Sequence, residues 1–344
     1  MQKYRTAIIG CGGRAHGHAK AYQLVPNAEL VACANRSNLD RRQNFAQTYG
    51  ITGYANASEM IQREQPDLVH LVAMPNQWVS LMQMVSDLGV PACLVEKPIA
   101  CGVEDWQKLC QLEIESRTKF GVGKQFRWHP RLLDCRLALQ SGKLGKLMWL
   151  NFFACMNLSA QGTHMIDWAM SLNNDSPVIQ VFGTVSGLDL LDSAYPAPDL
   201  SLAEVVFANG VHGLWHTGTS APSIMDDPAI YKHTHVAGYA EYGQVRFEEF
   251  GQWAIQSPEG YQGGQISAED RDRYNDIAQA GLTQAMLRWV EDEDQPVETN
   301  LERALHQWNA VLGLYASALY RHPIKIPFEP PADLLLQLRT EIGR

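Results

Sequence analysis

The chain is predicted to be an α/β protein. A doubly wound, mostly parallel Rossmann domain is followed by an α+β domain built on an open, mainly antiparallel sheet. Three observations carry that expectation. Short apolar runs alternate with amphipathic segments over the first 125 residues. A glycine-rich turn, Gly10-Cys11-Gly12-Gly13-Arg14-Ala15, follows the first run. Past residue 130, longer β-type runs with hairpin signals take over.

The early runs cover residues 6–9, 29–34, 68–74, 92–96 and 120–125. They are nearly all apolar, the pattern of parallel strands buried on both faces. Between them, residues 76–88 and 103–116 have the period and length of crossover helices. Residues 1–125 are thus read as the nucleotide-binding domain and 126–344 as a substrate and oligomerisation domain. In the latter, 148–156 reads as a strand and 162–172 as a helix. Residues 203–208 and 211–216 form a hairpin about Asn209-Gly210, a pair suited to a type I′ turn. Further strands are expected over 231–240 and 244–257, around turns at Gly243 and Gly251, before helices over 268–289 and 300–320.

Composition narrows the function classes. The 344 residues are 46% hydrophobic and 19% charged, with a net charge of −9. That balance leaves no basic footprint for nucleic acid or an anionic membrane. No apolar stretch approaches the roughly 18 to 20 residues of a membrane span. The first residues run into a strand with no apolar leader, and the seven scattered cysteines form no C-x-x-C pair. They read as small core hydrophobes in a reducing cytoplasm, with no disulfide framework and no metal site.

The chemistry begins at the glycine turn. Gly10 permits the tight bend, Gly12 lets backbone approach a pyrophosphate, and Ala15 allows close packing of helix on strand. The second strand ends in Asn35-Arg36, where a ribose-binding carboxylate is usual. Asn35 can still bond a ribose, and Arg36 can pair with a 2′-phosphate, so the cofactor is NAD or NADP with a lean to NADP. Ala73-Met74-Pro75-Asn76 turns at the next strand end, near where a nicotinamide ribose would lie. Glu96-Lys97-Pro98 closes the strand after that, setting a lysine at the sheet's ligand-binding edge, and Gln125 ends the last run.

Together with Gln125-Phe126-Arg127-Trp128-His129-Pro130 and Gly162-Thr163-His164-Met165-Ile166-Asp167, these motifs resemble the glucose–fructose oxidoreductase / inositol dehydrogenase / MocA family. The resemblance follows the whole chain in order and spacing. It implies that Lys97 contacts both the nicotinamide ribose and the reacting hydroxyl, with Glu96 beside it at the cofactor. It implies a proton-transfer role for His164 and substrate contacts from Lys97 and His164. Beside these, Arg127 is read as a group for substrate or cofactor or as a brace at the domain interface, and Asp167 as a substrate contact or as an acidic residue favoured by the helix dipole. Homodimers or homotetramers through the C-terminal sheet are also implied. One departure is visible: the family's aspartate four residues before the histidine is Ala160 here. Ser159 or Gln161 would then have to serve as the histidine's neutral partner.

The resulting expectation is a dehydrogenase or reductase. It moves a hydride between nicotinamide and a secondary alcohol or ketone carbon of a sugar, polyol or derivative. Two alternatives stand beside it: a nicotinamide-binding regulatory protein, and a lyase or hydrolase using transient redox with recycled cofactor. His16 and His18 read as packing or surface residues. His212, His216, His233 and His235 read as histidines on sheet faces, and residues 291–294 as a solvated acidic turn.

Overall fold

In the computed structural model, which describes residues 3–342, the Rossmann pattern is realised strand by strand. The elements alternate as β1 (Tyr4–Ile9), α1 (Gly13–Ala21), β2 (Ala28–Ala34), α2 (Leu39–Tyr49), β3 (Thr52–Tyr54) and α3 (Ala57–Glu64), then β4 (Leu68–Leu71), α4 (Trp78–Asp87), β5 (Ala92–Val95), α5 (Val103–Glu115) and β6 (Lys119–Val122). All neighbouring pairs are parallel, in the order β3-β2-β1-β4-β5-β6. That is the doubly wound order, and its direction reverses between β1 and β4. The strands are shorter at their carboxyl ends than their apolar runs. Residues 72–74, Glu96 and Gln125 lie past the last strand residues, leading into the loops from which a ligand is met, with Val72 and Glu96 making closing bonds to Ile9 O and Leu71 O. Pro75 opens a 3₁₀ turn (Pro75–Gln77), and Gln125 opens another (Gln125–Trp128).

Small residues explain the tight layers. Ala15 and Ala19 of α1 pack on Ile8, Cys11, Cys33 and Phe45, and Ala15 has no exposed surface. On the other side, Leu68, Ala92 and Leu94 meet Ala280, Leu282 and Met286.

The remaining elements are α6 (Pro130–Gln140), β7 (Leu147–Ala154), α7 (Thr163–Leu172), β8 (Val178–Ser186), β9 (Leu200–Phe207), β10 (His212–Gly218), β11 (Thr234–Ala240) and β12 (Gly243–Phe247). After them come β13 (Gln252–Ser257), β14 (Gly260–Gln265), α8 (Ala268–Glu291), α9 (Leu301–Tyr320), β15 (Ile324–Lys325) and α10 (Leu334–Ile342). Nine strands form one sheet, β14-β13-β12-β11-β7-β10-β9-β8-β15, antiparallel except at β7–β10. Helices α6 and α7 lie on it, and every residue of α7 is buried.

The chain forms two compact units. One holds the chain up to Ala100 with Asp105–Trp128 and Asn275–Ala304. The other holds Cys101–Glu104, His129–Tyr274 and the chain from Leu305 onward. Segment Asn275–Ala304 belongs with the parallel sheet because Met286 and Val297 fill the space over Gly121, which also bridges to Asn300.

Two local expectations are corrected. The β9–β10 hairpin forms, but its turn is not type I′. Gly210 has φ +83 while Asn209 stays out of the left-handed region, and Gly210 N–H donates to Phe207 O at 2.9 Å. This is a turn with Ala208 and Asn209 at its centre and a glycine bulge after it. Asn209 is drawn there by neighbours: its N–H donates to Ser176 Oγ and its amide to Asn173 Oδ1. The strand expected from residue 231 begins at Thr234, because Ile230–Lys232 is a 3₁₀ turn. His233 is therefore off the sheet, where its ring bonds Asp227 O. Among the described residues no helix is long and apolar enough to cross a membrane.

Candidate functional site

The glycine turn is shaped by necessity at Gly10 and by emptiness at Gly12 and Gly13. Gly10 has φ +108, and a Cβ there would lie 2.0 Å from Val72 O, at the end of the neighbouring β4 run. Nothing lies within 4 Å of a Cβ placed on Gly12 or Gly13. No side chain caps α1, so its first amides and its positive end face that open space. A cleft of about 300 Å³ continues from Cys11, Gly12 and Gly13 to His16, Arg41 and Asn44. The residues present thus fit a dinucleotide: a bare helix N-terminus for phosphates and a polar cleft beyond it for the adenosine half.

At the end of β2, Asn35 is shaped by its own loop. Its Oδ1 accepts from Asn38 N–H and its carbonyl from Arg42 Nη1. Arg36 is exposed. Arg41, one turn into α2, lines the cleft and was not among the sequence-derived candidates. The helical period carried on from Asn38 would have pointed to it.

Along the sheet's carboxyl edge stand Ala73 and the exposed Met74 and Asn76 after β4, Glu96 and the half-buried Lys97 after β5, and Gln125 after β6. Gln125 is buried, and its Oε1 has no hydrogen-bond partner among the described residues. That is a fitting acceptor for a carboxamide. Glu96 is buried too. Burial works to raise its pKa, but the Arg14 charge and the His18 hydrogen bond outweigh it and hold the carboxyl well below the usual range. Arg14 is drawn toward this carboxylate: its Nε donates to Glu96 Oε1 at 2.7 Å and its Nη2 to Gln279 Oε1 at 2.5 Å. Arg127 is likewise turned inward, fully buried, with Nη1 3.6 Å from Glu298 Oε2.

In the other unit, Asn157 caps a single π turn (Leu158–Gly162) by accepting from Ala160 N–H at 2.9 Å. The turn delivers His164 into the first turn of α7, buried like its neighbours. Asp167 is buried and accepts from Gln307 Nε2 at 2.9 Å. The neutral substitutes expected for the missing aspartate have their donors engaged elsewhere: Ser159 Oγ donates to Pro196 O at 2.6 Å and Gln161 Nε2 to Tyr231 O at 2.7 Å. The sheet histidines also have local partners, His212 with Glu204 and His235 with Glu248. Among the described residues no three His, Cys, Asp or Glu side chains are grouped to hold a metal ion.

Sheet order, bare α1 terminus and adjoining cleft define a dinucleotide-binding Rossmann protein. The family profile described as an oxidoreductase family with an NAD-binding Rossmann fold matches residues 4–124. Over those residues the chain is similar to the glucose–fructose oxidoreductase / inositol dehydrogenase / MocA family. It is 27% identical over 150 residues to a D-apiose dehydrogenase of Paraburkholderia graminis, covering 43% of this chain and 40% of that protein. It is 26% identical over 153 residues to the rhizopine catabolism protein MocA of Rhizobium meliloti, covering 44% and 47%. The chain thus spans less than half the length of these curated relatives. An oxidoreductase from Agrobacterium radiobacter, solved with NAD+, L-tartaric acid and magnesium, superposes with a TM-score of 0.78 over 94% of this chain and 99% of that one. At 17% identity this likeness is one of fold.

Proposed function

We propose that the protein is an NAD(P)-dependent oxidoreductase acting on a secondary alcohol or ketone carbon of a sugar, polyol or derivative. One observation carries the reading: a half-buried lysine, Lys97, stands at the carboxyl end of β5, two strands from the glycine turn in the same sheet. Residues 1–125 take the nucleotide-binding role, and 126–344 the substrate and oligomerisation roles. The α1 amides, Asn35, Arg36, Arg41 and Gln125 are the groups to hold the cofactor. When bound, the nicotinamide supplies the hydride acceptor or donor. Lys97 donates to the substrate oxygen and lowers the pKa of its hydroxyl, and His164 is assigned the proton. With Arg36 and Arg41 beside a strand end lacking a carboxylate, NADP is the favoured form. The dehydrogenase names of the curated relatives support a sugar-like substrate, and cysteines suited to a reducing setting support the cytoplasm.

Turnover of NAD(P)+ across a panel of sugars and polyols tests the proposal. Lys97→Ala should lower kcat by about 10²-fold or more, in the range of a lost proton-handling group, while NADPH still binds. Turnover unchanged by Lys97→Ala would remove the assignment. A non-catalytic, nicotinamide-sensing role is the second reading, favoured by Ala160 and by the diverted Ser159 and Gln161. Tight NADPH binding with no turnover on any substrate would select it. Substrate loss at constant cofactor absorbance would indicate recycled redox.

A further inference from the structure

Helix α1 and its C-cap present Arg14, His18 and Tyr22 at i, i+4 and i+8, a single face of the helix. On a crossover helix that face is ordinarily apolar. Here all three side chains end on one buried line of polar atoms. His18 Nε2 lies 2.7 Å from Glu96 Oε1, the oxygen that also receives Arg14. His18 Nδ1 lies 2.9 Å from His70 Nδ1, and Tyr22 Oη lies 2.6 Å from His70 Nε2. Both histidines are fully buried. Gly123 backs the carboxylate, since a Cβ there would stand 2.9 Å from Glu96 Oε1.

The proton positions follow from charge. An ionised Glu96 accepts only, so His18 carries its proton on Nε2. Burial, aided by the Arg14 charge, keeps His18 neutral, and burial keeps His70 neutral. His18 Nδ1 is then an acceptor, His70 Nδ1 donates to it, and His70 Nε2 accepts from the Tyr22 hydroxyl. Every bond points toward Glu96, and bonds aligned this way reinforce one another. The line does not conduct protons. Conduction would leave a phenolate at Tyr22, whose pKa burial raises, and a protonated Glu96, whose pKa is depressed. Both changes are uphill. The line orients.

We propose that His18, backed by His70 and Tyr22, is a positioning residue for Lys97. It fixes the Glu96 carboxylate adjoining that lysine and so sets the place and charge environment of the ammonium. Arg14 ties the same carboxylate to the glycine turn, giving turn and lysine one anchor. The inference rests on the reading of Lys97 as the group that acts on substrate, but its test does not need turnover.

Competitive acetylation of Lys97 across pH, read by mass spectrometry on the full chain, reports the amine's pKa. His18→Leu loosens the carboxylate and should lower that pKa by about half a unit or more, roughly three-fold in labelling at fixed pH. His18→Gln, whose amide can donate to Glu96, should restore the parent profile, and Tyr22→Phe should shift it less. A folded His18→Leu with the parent profile overturns the proposal. Should His18→Leu fail to fold, ¹⁵N NMR of the parent chain decides. His18 should be protonated at Nε2 and His70 at Nδ1, neither titrating between about pH 5.5 and 8. Opposite tautomers or a titration in that window overturn it. Failure of the Lys97 reading shows separately, as unaffected turnover in Lys97→Ala.

Discussion

Two glycines two residues apart do different physical work in the phosphate turn. Gly10 is held by the fold, since φ +108 and a Cβ 2.0 Å from Val72 O leave no room for alanine. Gly12 has φ −87 and open space where a Cβ would go. Gly10→Ala should therefore destabilise the protein by about 1–3 kcal/mol or more, lowering the urea midpoint. Gly12→Ala should leave the midpoint in place and weaken NADPH binding, because the new methyl occupies ligand space. Equal midpoints for the two variants would contradict the assignment. Charge at the β2 end argues in the same way about cofactor choice. The proposed NADP preference rests on Arg41 in the cleft and on the absence of a carboxylate at Asn35. Arg41→Ala should thus cost NADPH about ten-fold in Kd while sparing NADH, and Asn35→Asp should reverse the preference by adding repulsion. Isothermal titration with both cofactors checks this, and an Arg41→Ala that weakens both equally would place that arginine outside the 2′-phosphate site.

At the scale of elements, the parallel sheet was legible because strands buried on both faces are written as unbroken apolar runs, and α5, α8 and α9 because their periods are long. Strand ends were less legible. The carboxyl termini of β4, β5 and β6 are extended apolar sequence that leaves the ladder to line a ligand edge, and no local signal separates the two. The long-range partners were invisible. Asn209 looked like a type I′ turn residue until Asn173 and Ser176 claimed it. His18 read as a packing or surface residue because His70 and Glu96 lie 52 and 78 residues away in the chain. In the nine-stranded sheet, register puts Phe182, Leu214, Trp149 and Tyr239 on one face. Phe182, Trp149 and Tyr239 are 46%, 36% and 39% exposed. The same face carries Asn151 and the His212–Glu204 pair between them, a mixed surface of the kind that suits a second copy of the chain. On the proposal that copies of the chain assemble through this face, Phe182→Glu with Trp149→Glu should give a monomer in sedimentation where the parent chain does not; an unchanged mass would show that assembly uses another surface.

For the whole molecule the same buried groups set the response to acid. His18, His70 and His129 are kept neutral mainly by burial, His129 down to about 3 with help from the Arg131 charge. Their ordinary pKa is about 6.5. Below that value the unfolded chain takes up protons that the folded chain refuses, so unfolding becomes easier as pH falls. The slope approaches roughly 1.4 kcal/mol per pH unit for each histidine. Glu96 behaves differently. Its folded pKa is depressed, so its stabilisation is complete above the unfolded carboxylate value of about 4.3 and fades only as pH drops toward the folded value. Between about pH 6.5 and 4.5 the histidines therefore govern, ahead of the carboxylate. Urea unfolding at about pH 7.5, 6.5 and 5.5 should show stability falling gently over the first step and roughly three times as steeply over the second. His129→Gln should make the second step shallower. A flat profile down to about pH 4.5 would mean that the histidines are protonated in the folded protein, and the one-way hydrogen-bond line behind Glu96 would go with them.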